Sequence, residues 1–276
     1  MRESLLERIV RGLAVAFIIL WSGGPVALMV LSSFKPTPEI FTFPPSLVFT
    51  PTLEHYETLL EKWPDFFGTL VNSAVIAVLA TLLTVTASVL AGYVYSRYRS
   101  SAIGASALFM LAIRLLPPIV IILPLFPATS VLGLNDTYAI LVMLYATFFV
   151  SLGSMVLKTY IDGIPEELDD AACIDGASEA QILVRLIVPL AAPGMVAAAV
   201  FVFVYAWNEY LFAFVFTTTD AKTAPIVIAE MMGSLTGVDW GLLFAAATIQ
   251  LLPVTVFVIA FQRFLVAGLT AGAVKG

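Results

Sequence analysis

The chain has 276 residues, of which 61% are hydrophobic and only 12% are charged, and its mean hydropathy is +1.02. Soluble domains carry roughly 25% charged residues, so this composition excludes an ordinary soluble domain and requires a bilayer to cover apolar surface. The net charge of −6 argues against nucleic acid as a partner. One cysteine, Cys173, excludes an internal disulfide, and we expect the single histidine, His55, to lie at the surface.

Apolar runs along the chain are long enough to cross a bilayer, which takes about 20 residues of helix. They are helical because backbone groups in lipid have no water to bind. The first run begins after three arginines and is longer than a signal-peptide core, so we interpret it as an uncleaved span. We predict one all-α membrane domain, residues 1–276, with six spans near 13–31, 69–96, 103–126, 138–157, 188–214 and 241–262.

Lysine and arginine predict the orientation of these spans, since such residues concentrate on the cytoplasmic side. Nine of the thirteen cations fall in the N-terminus, the C-terminus and the two segments after the second and fourth spans. Three fall in the alternate segments: Lys35, Lys62 and Lys222. Both termini are therefore predicted to be cytoplasmic.

The segment between the fourth and fifth spans has the local signals of two short helices joined by a sharp bend. Pro165 suits a first helical turn, and Gly176 suits the residue that ends a helix. Ser178 and Gln181 have the spacing of a capping box for the second helix. We call residues 165–187 the bent segment. Its physics fits a structural corner and a docking surface for another protein equally well.

The bent segment resembles the cytoplasmic signature of importer-type ABC permeases, which reads Glu-Ala-Ala, three residues, Gly, nine residues, Ile, one residue, Leu-Pro. Asp170, Ala171 and Ala172 stand for Glu-Ala-Ala, and Gly176 has the required spacing. Leu186 stands for the isoleucine, and Val188 and Pro189 stand for Leu-Pro. The departures from the signature are conservative, and the spacing is intact.

Three further stretches resemble the maltose-type sugar permeases, in particular their shorter permease subunit. They are Ser33-Phe34-Lys35-Pro36, Trp207-Asn208-Glu209-Tyr210, and the C-terminal tail, of which residues 263–276 follow the last span. The resemblance covers nearly the whole chain. It implies the type I ABC importer permease fold with a cytoplasmic coupling helix, in a bacterial plasma (inner) membrane.

The resemblance also implies partners and sites. The coupling helix docks on a cytosolic ATPase, through Asp170, Ala171, Ala172, Gly176, Leu186 and Pro189. The tail is implied to contact the ATPase through Gly272, Val274 and Lys275. The implied assembly contains a second homologous permease subunit, two ATPase copies that hold ATP and Mg, membrane lipid, a sugar-like solute, and an extracytoplasmic solute-binding protein that contacts residues 225–239.

This chain is expected to have no catalytic residue, no metal and no cofactor of its own. It lacks the Gly-x-x-x-x-Gly-Lys-Ser/Thr phosphate loop needed to hydrolyse ATP, and the sequence predicts no zinc site. Arg114 is costly in lipid and is a candidate for the solute pathway, as are Asn208 and Glu209. A structural role is the alternative for each of the three. Pro117 and Pro118 predict a break or kink in the third span.

A secondary carrier or channel that is not driven by ATP is the main alternative function. Ion-driven carriers place several acidic groups within their spans, whereas here Glu209 is the only candidate. A membrane-embedded enzyme would need a cluster of histidine, cysteine or paired carboxylates at membrane depth, and the sequence predicts none.

Overall fold

The computed structural model describes residues 5–46, 48–233 and 237–271, and every regular element in these ranges is helical. The helices are α1 Leu5–Ser32, α2 Glu54–Lys62, α3 Phe66–Arg97, α4 Ser101–Arg114, α5 Pro118–Val131, α6 Tyr138–Ile161, α7 Glu167–Ile174, α8 Glu179–Ile182, α9 Val188–Trp207, α10 Leu211–Phe216, α11 Ala224–Met232 and α12 Trp240–Ala271. A short 3₁₀ turn at Thr37–Glu39 follows α1.

Five helical stretches are long and apolar enough to cross a bilayer by themselves. They are Leu6–Ser32, Phe66–Arg97, Tyr138–Ile161, Glu179–Trp207 and Trp240–Gln262. A sixth is obtained if α4 and α5 are counted as one broken span. The predicted all-α membrane fold is therefore confirmed.

The third span is broken between α4 and α5, which meet at 92°. Pro117 and Pro118 lack the backbone N–H that would continue α4, and a proline also disfavours helical geometry in the residue before it. The break confirms the prediction made from these prolines. Arg114 is the last residue of α4, where the helix dipole favours a cation.

The helix that contains the predicted fifth span, 188–214, has different bounds from that range. It starts at Glu179, because α8 continues into α9 through a π-helical turn at Leu183–Ile187. Pro189 explains this turn, since its missing N–H interrupts the α-helical ladder and a wider turn takes up the difference. The second helix of the bent segment is therefore not a separate short helix but the first turns of the span.

At its other end the fifth span stops at Trp207, and α10 begins at Leu211. The Glu209 carboxylate caps α10, because it accepts hydrogen bonds from the backbone N–H of Phe212 (2.9 Å) and of Ala213 (3.2 Å). The neighbouring Asn208 is exposed, and its amide donates to the carbonyl of Val204 at 2.8 Å.

Contacts divide the chain into two compact units, of which the first comprises residues 1–67 and 227–252. In this unit His55 is only 3% exposed, and its Nε2 donates to the carbonyl of Lys35 at 2.7 Å. The prediction that His55 lies at the surface is wrong, because its ring bonds the Lys35 carbonyl and occupies the space left by the missing side chain of Gly241. The Tyr56 ring also packs against Phe34, with ring centroids 5.2 Å apart.

The second unit comprises residues 68–226 and 253–276, and in it α3 and α6 approach closely through small residues. A Cβ added at Gly153 would overlap the Ser88 hydroxyl, and one added at Gly92 would lie 3.0 Å from the backbone nitrogen of Lys158. Small residues allow this approach in membrane helices, where packing rather than the hydrophobic effect drives association.

The loop at 217–223 is held by Asp136, which precedes α6. Its carboxylate accepts hydrogen bonds from four successive backbone N–H groups, Thr218 to Ala221, at 2.9–3.1 Å, and from the Thr218 hydroxyl at 2.8 Å. Burial alone would raise the pKa of the Asp136 carboxyl, but these bonds outweigh burial and hold the pKa well below its usual range. Asp136 has a left-handed backbone, with φ 59°.

The same loop is bonded to the beginning of α3. The Asn72 amide donates to the carbonyls of Asp220 (3.0 Å) and Lys222 (2.9 Å), and the Ser73 hydroxyl accepts from the N–H of Ala224 at 2.9 Å. The Tyr138 hydroxyl in turn donates to the Asn72 amide oxygen. One end of α3 is thus fixed to the backbone at 220–224.

We predict that Gly153→Ala lowers the thermal stability of the purified chain in detergent. The new methyl group would push α3 and α6 apart, and overpacking of this kind costs about 1–3 kcal/mol. Gly104→Ala is the matched control, since nothing lies within 4 Å of a Cβ at this helical position. It should leave the melting temperature unchanged or raise it, because alanine favours helix over glycine by up to about 1 kcal/mol.

We also predict that Glu209→Ala lowers the melting temperature, because the loss of a helix cap costs about 0.5–2 kcal/mol. Asn208→Ala, next to it, removes only an exposed bond within α9 and should change stability by less than about 0.5 kcal/mol. Equal melting temperatures for the two variants would contradict the capping role.

Candidate functional site

The bent segment turns at Gly176, directly after α7. Gly176 has φ +82°, its N–H donates to the carbonyl of Cys173, and the N–H of Ala177 donates to the carbonyl of Ala172, both at 3.0 Å. This pair of bonds is the Schellman motif, which closes the end of a helix and requires a left-handed residue. The prediction that Gly176 ends the first helix is confirmed.

The chain then enters α8 through the predicted capping box. The Ser178 hydroxyl accepts from the N–H of Gln181 at 3.4 Å, and the Gln181 side chain accepts from the N–H of Ser178 at 2.8 Å. Because both ends of the bend are closed by hydrogen bonds, the angle between α7 and the fifth span is well determined.

The structure brings only some of the predicted coupling residues together. Ala171, Ala172 and Leu186 line a shallow cavity of about 290 Å³ between α7 and the start of the fifth span. Asp170 is exposed and, like Gly176 and Pro189, is not among the residues that line it. The inner side of the segment, with Ala172 and Leu186, packs on a core of Tyr93, Ile161, Ile182, Ile187 and Ala191.

The outer surface of α7 carries an apolar side chain that the sequence reasoning missed. Ile174 is 87% exposed, and Ala171 and Cys173 beside it are also exposed. The sequence could have indicated this position, because Ile174 follows Ala171 by three residues and so shares a helix face with it. Ile174, Ala171 and Cys173 together form a small exposed apolar surface on α7, and it is such adjoining apolar residues that can mark a contact surface.

The bent segment is attached to the end of α3 by a largely buried ion pair that the sequence reasoning also missed. The Arg97 Nε donates to the Asp169 carboxylate at 2.6 Å, and the two side chains are 8% and 14% exposed. Nη1 of Arg97 donates to the carbonyl of Ile161 (3.2 Å), and Nη2 donates to the carbonyl of Ile164 (3.0 Å). Arg97 therefore also bonds the carbonyl of Ile161, the last residue of α6, and that of Ile164 in the turn that follows.

Two weaker contacts lie beside this pair. The Tyr98 hydroxyl donates to the Glu179 carboxylate at 2.7 Å, and this hydrogen bond raises the pKa of the Tyr98 phenol to about 12. Arg99 lies 3.7 Å from Glu166, with side chains 88% and 60% exposed. A pair this exposed contributes about 0–1 kcal/mol.

Arg114 lines a separate cavity of about 470 Å³ among α4, α5, α6 and α10. The other walls are largely apolar and include Met110, Met143, Phe148 and Phe212. Within the part of the chain that the structure describes, the Arg114 guanidinium has no hydrogen bond or ion pair. Asn208 and Glu209 do not line this cavity, so the structure does not bring the three pathway candidates together.

The remaining candidates are the tail residues. Gly272, Val274 and Lys275 lie outside the described residues. In the described ranges, no group of three or more His, Cys, Asp or Glu side chains is placed to hold a metal ion.

Comparison with known proteins identifies the family. Residues 84–271 match the family described as binding-protein-dependent transport system inner membrane component. The chain is 37% identical over 281 residues to the trehalose/maltose transport system permease protein MalG of Thermococcus litoralis, with 100% of each chain covered. It is 38% identical over 260 residues to the trehalose transport system permease protein SugB of Mycobacterium tuberculosis, with 91% of this chain and 92% of that protein covered.

The fold also matches a solved structure. A chain of a bacterial ABC transporter involved in the import of the acidic polysaccharide alginate superposes with a TM-score of 0.77 at 18% identity, over 95% of this chain and 99% of that chain. At this identity the match concerns the fold alone, which is that of a type I ABC importer permease. Sequence and fold agree, and the chain belongs to the family of binding-protein-dependent transport system inner membrane components.

Proposed function

We propose that this chain is the permease subunit of an ATP-driven importer for a sugar or sugar-like solute, and that the bent segment couples it to a separate ATPase. The observation that carries the proposal is a rigid, sharply turned segment between two apolar helices, with an apolar residue on its outer surface. The relatives named for trehalose and maltose transport support the solute class.

The outer surface of α7 is suited to docking. Ile174 would transfer most of its side chain from water to a protein groove, which stabilises a complex by about 1.5–3 kcal/mol. Ala171 and Cys173 are small, so a partner's backbone can approach α7 closely. Asp170 is exposed next to them and can pair with a cation of the ATPase.

A force on the bent segment would reach the membrane directly. No flexible linker separates α8 from α9, since the helical stretch Glu179–Trp207 is continuous through the π turn. When two ATPase copies close around ATP and Mg, displacement of the segment would tilt this span as a rigid body and change which side of the membrane has access to the solute.

The proposed setting is a bacterial inner membrane with both termini in the cytoplasm, as the distribution of lysine and arginine favours. A second homologous permease would complete the pathway, and a solute-binding protein on the other side would deliver the solute. The C-terminal residues Gly272, Val274 and Lys275 would add an ATPase contact.

Arg114 is the strongest pathway candidate, because an unpaired guanidinium beside a broken span needs a polar partner from solute, water or a second subunit. Asn208 and Glu209 have their polar groups bonded at helix ends. We therefore assign them to shaping the outer end of the fifth span.

Gly176→Val should abolish solute uptake by the reconstituted complex while the spans remain inserted. A Cβ here meets nothing within 4 Å, so the effect comes from the left-handed backbone, which costs other residues about 1–2 kcal/mol and β-branched residues more. Gly176→Asn is the control, because asparagine tolerates this conformation and should retain most uptake. Normal uptake by the valine variant, measured with labelled solute in proteoliposomes, would refute the coupling role.

Docking can also be followed through Cys173, the chain's only cysteine, which is exposed on α7. Its reaction rate with a maleimide should fall at least about tenfold when the ATPase is bound, because the thiol would then be covered. As a control, Thr219→Cys in a Cys173→Ser background places an exposed thiol on the 217–223 loop, and without ATP, when the ATPase is docked but not closed, its rate should not change. Equal rates for Cys173 with and without the ATPase would count against docking at α7.

A further inference from the structure

The covalent connections of the bent segment run only to α6 and to the fifth span. The helix α3 is far from it in sequence, since Arg97 and Asp169 are 72 positions apart. Any movement of α3 with the bent segment must therefore pass through non-covalent contacts, either directly with the segment or through the packing of α3 on α6.

Those contacts are strong at the end of α3. Arg97 uses its nitrogens on the Asp169 carboxylate and on two backbone carbonyls, and the ion pair is shielded from water. Removing one partner of such a pair leaves a buried charge without compensation, which is far more disruptive than the loss of an exposed pair. The guanidinium thus links three elements: α3, the end of α6 and α7.

A second contact links α3 to the other half of the bend. Tyr98 bonds Glu179 at the start of α8, and the Tyr93 ring packs in the same core cluster as Ile182 and Ile187. The bent segment can therefore neither tilt nor shift without α3 unless these contacts break.

The opposite end of α3 is also attached. Asn72 and Ser73 hold the backbone at 220–224, and Asp136 holds the same loop from the other side. From Asn72 to Arg97 the helix is about 38 Å long at 1.5 Å per residue. One continuous helix thus has polar attachments near both of its ends.

We propose that Arg97 is a positioning residue that makes α3 follow the bent segment, and that α3 transmits this movement to the 217–223 loop at the other end. The proposal rests on the proposed coupling function. It adds a third span to the two that the segment joins covalently, and a route by which events at the two ends of the permease influence each other.

The test compares Arg97→Gln with Arg99→Gln in the complete complex of permeases, ATPase and binding protein, reconstituted in proteoliposomes. The quantity measured is the number of ATP molecules hydrolysed per solute imported. Arg97→Gln should raise this ratio at least about threefold, because ATPase closure would no longer move the end of α3 directly through α7. Arg99→Gln breaks the exposed pair on the same elements and should leave the ratio unchanged.

Asn72→Ala cuts the link at its far end and should raise the same ratio. The double variant with Arg97→Gln should be no worse than the more severe single variant, because both changes interrupt one link. Additive effects would show two independent contributions and overturn the transmission through α3. A merely structural role of Arg97 would lower hydrolysis and uptake together and leave their ratio constant, which also overturns the proposal.

If Arg97→Gln does not assemble, Arg97→Lys decides the question, since lysine retains the charge but not the forked geometry that reaches carboxylate and carbonyls together. A normal ratio for this variant overturns the proposal, and a raised ratio supports it. The Gly176→Val assay distinguishes failure of the proposed coupling function from failure of the link through α3. Normal uptake there would reject the coupling function itself, whereas loss of uptake there with a normal ratio in the Arg97 variants would reject only the link through α3.

Discussion

The structure depends on one constraint: a backbone N–H or C=O in hydrocarbon must find its partner within the protein. Where an apolar helix is interrupted, the backbone groups that lose their helical partner find another hydrogen-bond partner nearby. The π turn before Pro189 takes up a missing donor by letting the N–H of Val188 bond the carbonyl of Leu183. The Glu209 carboxylate serves two free N–H groups at the start of α10. In these helices, irregular backbone occurs where such a replacement hydrogen bond can form.

The bent segment obeys the same rule outside the apolar helices. Two backbone hydrogen bonds close its turn at Gly176, and a capping box begins its second helix. Arg97 bonds the carbonyls of Ile161 and Ile164, where the segment leaves α6. A segment whose groups are satisfied in this way has little freedom to absorb a displacement by deforming. This rigidity is what a part that transmits force between two proteins requires.

Features with local signals could be predicted from the sequence. The break at Pro117 and Pro118, the helix end at Gly176 and the capping box at Ser178 each follow from the conformational preferences of a few adjacent residues. The apolar runs likewise predicted membrane helices, since hydrophobicity over about 20 residues is a strong signal.

Features that depend on distant pairing could not be predicted. Asp169 and Asp170 are adjacent acids on a short helix, and only the packing of α7 shows that Asp169 pairs with Arg97 while Asp170 faces solvent. His55 is buried by a bond to a residue 20 positions away. The helix end at Trp207 could not be predicted, because the apolar sequence continues into α10 and a hydropathy pattern cannot distinguish one helix from two.

The attachment of the 217–223 loop has a consequence for how this surface can vary. Asp136 combines two requirements that few residue types meet: tolerance of a left-handed backbone, and a carboxylate with enough lone pairs for several donors. The loop contributes mainly backbone N–H groups, which every residue except proline possesses. Its exposed side chains at Thr219 and Asp220 are thus free to diverge, whereas those of Thr217, Ala221 and Thr223 are buried. The shape of the loop is set from outside by the Asp136 carboxylate together with Asn72 and Ser73. Such an arrangement allows a permease to acquire new contacts on this loop without redesigning the loop itself.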